Sequence, residues 1–95
     1  MPARVGLLTV GLCVTDSMTL KDKRQVVRSL LDRISRRYNV AVAQVGKLDS
    51  QRRVELAFSC VSNDGGHCRE ILGTVLRAVE SDPRAVVEDS ETEIF

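Results

Sequence analysis

Thr19–Tyr38 reads TLKDKRQVVRSLLDRISRRY, and the reading of this stretch decides the fold. Leu20, Val27, Leu30, Leu31, Ile34 and Tyr38 recur at helical spacing and share one face. Thr19 suits the N-cap, with Asp22 at the third helical position as a shortened capping box. A helix is therefore expected from Thr19 to about Tyr38, with Asn39 as its stop. Around the apolar stripe stand Lys21, Lys23, Arg24, Arg28, Arg33, Arg36 and Arg37, against only Asp22 and Asp32.

Strand-like sequence lies on both sides of this helix. Val5–Val14 (VGLLTVGLCV) is too short and too rich in Val and Leu for a long helix. Leu8, Val10, Leu12 and Val14 make one face of the strand, and Val5, Leu7, Thr9 and Cys13 the other. With both faces largely apolar it reads as a central strand. If helices cover one face only, the other is expected to meet a second subunit. After the helix, Val40–Val45 reads as a second strand, 46–52 as a polar hairpin loop, and Arg53–Ser62 as a third strand with Val54, Leu56, Phe58 and Cys60 inward.

Asn63 or Asp64 caps a second helix, which runs to about Ser81 with Cys68, Ile71, Leu72, Val75, Leu76 and Val79 on its apolar stripe. Gly73 interrupts that stripe, either for close packing or as a tolerated residue. Pro83 ends the helix, and Val86–Ile94 reads as a short fourth strand with acids on its outer positions. The order β-α-β-β-α-β predicts an α+β, ferredoxin-like sandwich. It is one domain over residues 1–95, a four-stranded antiparallel sheet with both helices on one face.

With 43% hydrophobic and 28% charged residues, the chain has the composition of an ordinary globular domain. Its only aromatic residues are Tyr38, Phe58 and Phe95, so the core must be built from aliphatic side chains. The net charge of +1 says nothing about partners. Its distribution does, because a basic helix precedes a segment, residues 80–95, rich in acids. These two could pair within one molecule, between molecules, or serve different partners. No apolar run reaches the ~18 residues of a membrane helix, and no signal peptide is expected at the start. Three unevenly spaced cysteines do not make a disulfide framework, and a reducing cytoplasm is the expected setting.

Most chemistries that this topology can host lack their residues here. Base stacking on the sheet needs aromatics on strands 1 and 3, and only Phe58 is present, on the buried face. A soft-metal carrier needs paired thiolates, and no C-x-x-C follows strand 1. An acylphosphatase-like anion loop needs glycine and arginine, and 15–19 has neither. Cys13, Cys60, His67 and Cys68 have poor spacing for a metal site, so no metal and no cofactor is expected. No nucleophile or acid partner identifies itself for His67, and no enzyme activity is expected.

The basic helix is the remaining lead. Arg33, Arg36 and Arg37 lie in its last turns, where positive charge is favoured by the helix dipole. Lys21, Lys23 and Arg24 lie near its start, where it is not, and beside exposed helix N–H groups they suggest a phosphate-binding surface. Arg28 continues this group along one flank, and Arg52 and Arg53 could extend it.

Leu20-Lys21-Asp22-Lys23-Arg24 resembles the SLKEKR-type opening of helix 1 in the YlxP-like bacterial family of unknown function. Leu30–Arg33, Tyr38–Ala43 and Val61–Asp64 match in order and spacing, so the resemblance covers essentially the whole chain. It departs from the family pattern at Met18-Thr19, where serine is more usual, and in the hairpin loop, where members often carry an aromatic before Gln-Arg. The resemblance implies a ferredoxin-like fold and brings no catalytic residues. Genes of the family often lie near those for translation initiation and ribosome maturation factors. Two expectations result. One is a non-enzymatic accessory protein that touches structured RNA or a ribosomal particle through Lys21, Lys23, Arg24, Arg28, Arg52 and Arg53. The other is a protein-interaction or regulatory module, a homodimer through the open sheet face.

Overall fold

The computed structural model describes residues 2–95. Its elements are β1 (Arg4–Val14), α1 (Leu20–Arg37), β2 (Ala41–Gly46), β3 (Arg53–Ser62), α2 (Gly65–Glu80) and β4 (Ala85–Ile94). Every boundary foreseen from the sequence lies within a residue or so of these. The four strands form one sheet in the order β2-β3-β1-β4, with all neighbours antiparallel. This is the ferredoxin-like α+β sandwich, with β2 and β4 at the sheet edges.

Alternation sorts the strands into two faces. Leu8, Val10, Leu12 and Val14 of β1 and Val54, Leu56, Phe58 and Cys60 of β3 are buried beneath the helices. Val27, Leu30 and Ile34 of α1 and Cys68, Leu72, Val75 and Val79 of α2 close the core from above. Each Val, Leu, Ile and Phe side chain among these contributes ~1.5–3 kcal/mol of transfer free energy, which makes this layer the main source of stability. α1 lies over β2, and α2 lies over β1, β3 and β4. Gly6 allows α2 to approach the sheet, since a Cβ there would lie 2.8 Å from Leu72 Cδ1 and 3.0 Å from Cys68 Cβ.

Among the described residues no helix covers the second face of the sheet. Val5, Leu7, Thr9 and Cys13 stand there, partly or well exposed. Register places Val5 opposite Val61, and its backbone exchanges hydrogen bonds with Phe95. Bulges interrupt the β1–β4 ladder at Gly11/Leu12 and the β2–β3 ladder at Gln44/Gly46. In the hairpin loop the left-handed residue is Lys47, at φ 58°, and not the glycine that precedes it. No helix among the described residues is long and apolar enough to cross a membrane.

Candidate nucleic-acid interface

The start of α1 is built by Thr19 and Asp22. The Thr19 hydroxyl accepts the Asp22 N–H at 3.1 Å, while Asp22 Oδ2 accepts the Met18 and Thr19 N–H groups, each at 3.1 Å. The capping box expected from the sequence is therefore closed at both ends. Within α1 the Asp22 N–H is met by the Thr19 hydroxyl, and the Asp22 carboxylate takes the two N–H groups that precede the helix.

Lys23 corrects one expectation. It is 0% exposed. Its ammonium donates to the carbonyls of Lys47 at 2.9 Å, Leu48 at 3.2 Å and Arg53 at 3.2 Å. Three N–H donors meet three acceptors, so the group is saturated and cannot reach an external phosphate. Burial, then the charge of Arg24, holds its pKa below the usual lysine value. Lys23 instead ties the β2–β3 loop to α1. Ser17, also buried, adds to this tie through its hydroxyl, 2.6 Å from the Gln51 carbonyl.

The two loop arginines separate. Arg52 donates through Nε to the Ser17 carbonyl at 3.3 Å and stays exposed beside the start of α1. Arg53 points to the open sheet face, where it pairs with Glu88 at 3.0 Å. That pairing raises the Arg53 pKa and lowers that of Glu88. Arg53 thus lies on the opposite side of the sheet from α1 and does not extend its surface.

Arg33 is also engaged. It lies 3.4 Å from Asp82 Oδ2, a carboxylate whose side chain is 0% exposed and which also binds Arg84 at 2.7 Å. Arg84 reaches across to the Ser29 hydroxyl at 3.2 Å. Hydrogen bonds from Arg84 hold Asp82 below the usual carboxylate range despite its burial. Of the acids in the C-terminal segment, Asp82 pairs with the basic helix within the molecule.

What remains is a row of free cations. Lys21, Arg24, Arg28 and Arg36 are exposed and make no ion pair among the described residues. At 100° per residue they occupy about 120° of the outer side of α1, and Lys21 to Arg36 spans about 22 Å of helix. Arg37 stacks over the Tyr38 ring at 5.6 Å. Asp32 is the acid within this row. Arg36, which helix electrostatics alone could explain, lines the same surface as Arg28.

Among the described residues, no group of three or more His, Cys, Asp and Glu side chains is arranged to hold a metal ion. His67 is exposed, in the first turn of α2. Cys60 and Cys68 are buried together, and burial raises the Cys60 pKa, the opposite of what a reactive thiol needs. The row on α1 can attract a polyanion and hydrogen-bond its phosphates, and it carries no reacting group.

Comparison with known proteins gives three findings. A family model described as "Protein of unknown function (DUF503)" matches residues 5–92. The uncharacterized protein YlxP of Bacillus subtilis (strain 168) is 26% identical over 91 residues, which cover 96% of this chain and 99% of that protein. The crystal structure of SnoaB, a cofactor-independent oxygenase from Streptomyces nogalater, superposes with a TM-score of 0.50. It covers 97% of this chain and 90% of its own, at 14% identity, a likeness of fold alone.

Proposed function

The chain belongs to the DUF503 family of proteins of unknown function, and we propose that it is a non-enzymatic accessory protein that binds RNA through the outer face of α1. Lys21, Arg24, Arg28 and Arg36 contact phosphates, and Arg52 borders them at the start of the helix. The observation that carries this reading is the contrast among the basic residues. Lys23, Arg33 and Arg53 each have internal partners, while Lys21, Arg24, Arg28 and Arg36 make no ion pair among the described residues and share one surface. Such a surface attracts phosphates without selecting a sequence. The reading places the protein in the cytoplasm, with a structured RNA or a ribosomal particle as partner. The test is cosedimentation with ribosomal particles of the wild type and of a folded Lys21→Glu/Arg24→Glu/Arg28→Glu variant. Retention should fall at least tenfold in the variant, and unchanged retention refutes the proposal.

A second reading rests on the open sheet face. Val5, Val61 and Phe95 cluster at one end of it and are 39%, 69% and 63% exposed. Large apolar side chains grouped in this way suit a second copy of the chain. Sedimentation equilibrium at micromolar concentration should show a dimer that Val61→Asp dissociates. A wild-type monomer there refutes this reading.

A further inference from the structure

A groove of about 340 Å³ runs between α1 and the edge strand β2. Val27, Leu31 and Val42 form its apolar floor, Arg24 and Arg28 rise on its helical rim, and Gln44 lies on its strand side. We infer that this groove takes an unpaired base from a single-stranded loop or end of the RNA, with Arg24 and Arg28 holding the flanking phosphates. The inference rests on the RNA-binding reading and assigns the form of RNA bound.

Three features point to a single strand. First, the groove joins an apolar floor to cations on its rim, which matches a base joined to phosphates. Its volume lies at the small end of ligand sites, enough for one planar group with its sugar. A duplex keeps its bases paired and stacked, and cannot place one there. Second, β2 is a sheet edge, so every second residue turns a free N–H and C=O outward, able to read the edge of a base. Third, the cationic row continues past the groove along α1 to Arg36, as a polyanion requires.

An extended peptide pairing with β2 suits these features less well. The ladder of β2 is broken by the bulge at Gln44/Gly46, which leaves only Ala41–Gln44 regular. A short, bulged edge resists addition of another strand. Asp32 stands at the groove's rim as the one acid, and it opposes phosphate binding there.

The test is fluorescence anisotropy at 50 mM salt with a labelled 12-nucleotide oligouridylate, a 12-base-pair RNA duplex and a 12-residue polyglutamate. The oligouridylate should bind at least tenfold more tightly than either of the others. Val42→Thr, which keeps shape and removes apolar surface, should weaken oligouridylate binding at least threefold and leave duplex binding unchanged. Leu31→Gln should do so more strongly, and Asp32→Asn should tighten it. Equal or tighter binding of the duplex overturns the groove assignment while leaving phosphate binding by α1 intact. Polyglutamate binding as tightly as oligouridylate overturns it in favour of an acidic peptide. Absence of binding to either RNA overturns this inference together with the function on which it rests.

Discussion

Lys23→Met removes the ammonium while keeping an apolar stem of the same four-atom length, and its effect separates a structural lysine from a ligand-binding one. The wild-type ammonium donates to three carbonyls, at 2.9, 3.2 and 3.2 Å. Hydrogen bonds to a charged group contribute about 1.5–3 kcal/mol each, so the three together supply roughly 4.5–9 kcal/mol. Burying the ammonium costs several kcal/mol, which methionine avoids. Methionine leaves the carbonyls of Lys47, Leu48 and Arg53 to find water at the loop. The net loss expected is about 2–4 kcal/mol. For a domain of this size that lowers Tm by roughly 10–20 °C. Urea unfolding followed by far-UV circular dichroism measures it, because the chain has no tryptophan to report by fluorescence. Lys21→Met, on the exposed side of the same turn, should change stability by less than about 0.5 kcal/mol. A Lys23→Met variant as stable as the wild type would refute the role of this residue as the tie between α1 and the β2–β3 loop.

Other expectations come from the same packing. Asp82 has a pKa depressed below the usual 3.8, so its ion-pair network stabilises the fold fully above that value. The contribution disappears as pH falls through the folded-state pKa. Asp82→Asn should cost about 2 kcal/mol at pH 6, less than a fully buried pair would because its arginines are partly exposed. The difference from wild type should shrink by pH 2, and a difference in unfolding midpoint that does not change with pH contradicts this. Gly73 sits mid-helix, and a Cβ there would meet only Arg77 Nη1 at an ordinary 3.6 Å. Gly73→Ala should therefore stabilise by about 0.5–1 kcal/mol in the same urea assay, and destabilisation would show a packing role.

The fold was legible because its signals are periodic and local. Alternation over β1 and β3, the stripes of both helices and the caps at Thr19 and Asp64 are each read within a few residues. The basic site was less legible, because which cations are free depends on contacts far along the chain. Charge alone suggests a surface cation at Lys23. Its spacing of four residues before Val27, seven before Leu30 and eleven before Ile34 puts it on the buried row. Its three acceptors lie 24 to 30 residues away, across a hairpin. Asp82 falls by sequence in the acidic segment 80–95, yet it is buried between α1 and the start of β4, a placement fixed by Arg33 and Arg84. Adjacency in sequence joins Arg53 to Arg52, although neighbours on a strand point to opposite faces once the strand begins.

The row Lys21, Arg24, Arg28 and Arg36 predicts a definite response to salt. Four phosphate contacts to a single strand give a slope of log K against log salt of about −3. Titration of the oligouridylate between 50 and 200 mM salt measures that slope for the wild type and for Arg24→Gln/Arg28→Gln. The slope should be about −3 for the wild type and shallower by about 1.4 for the variant. Equal slopes for the two proteins, or binding indifferent to salt, would contradict RNA recognition by the outer face of α1.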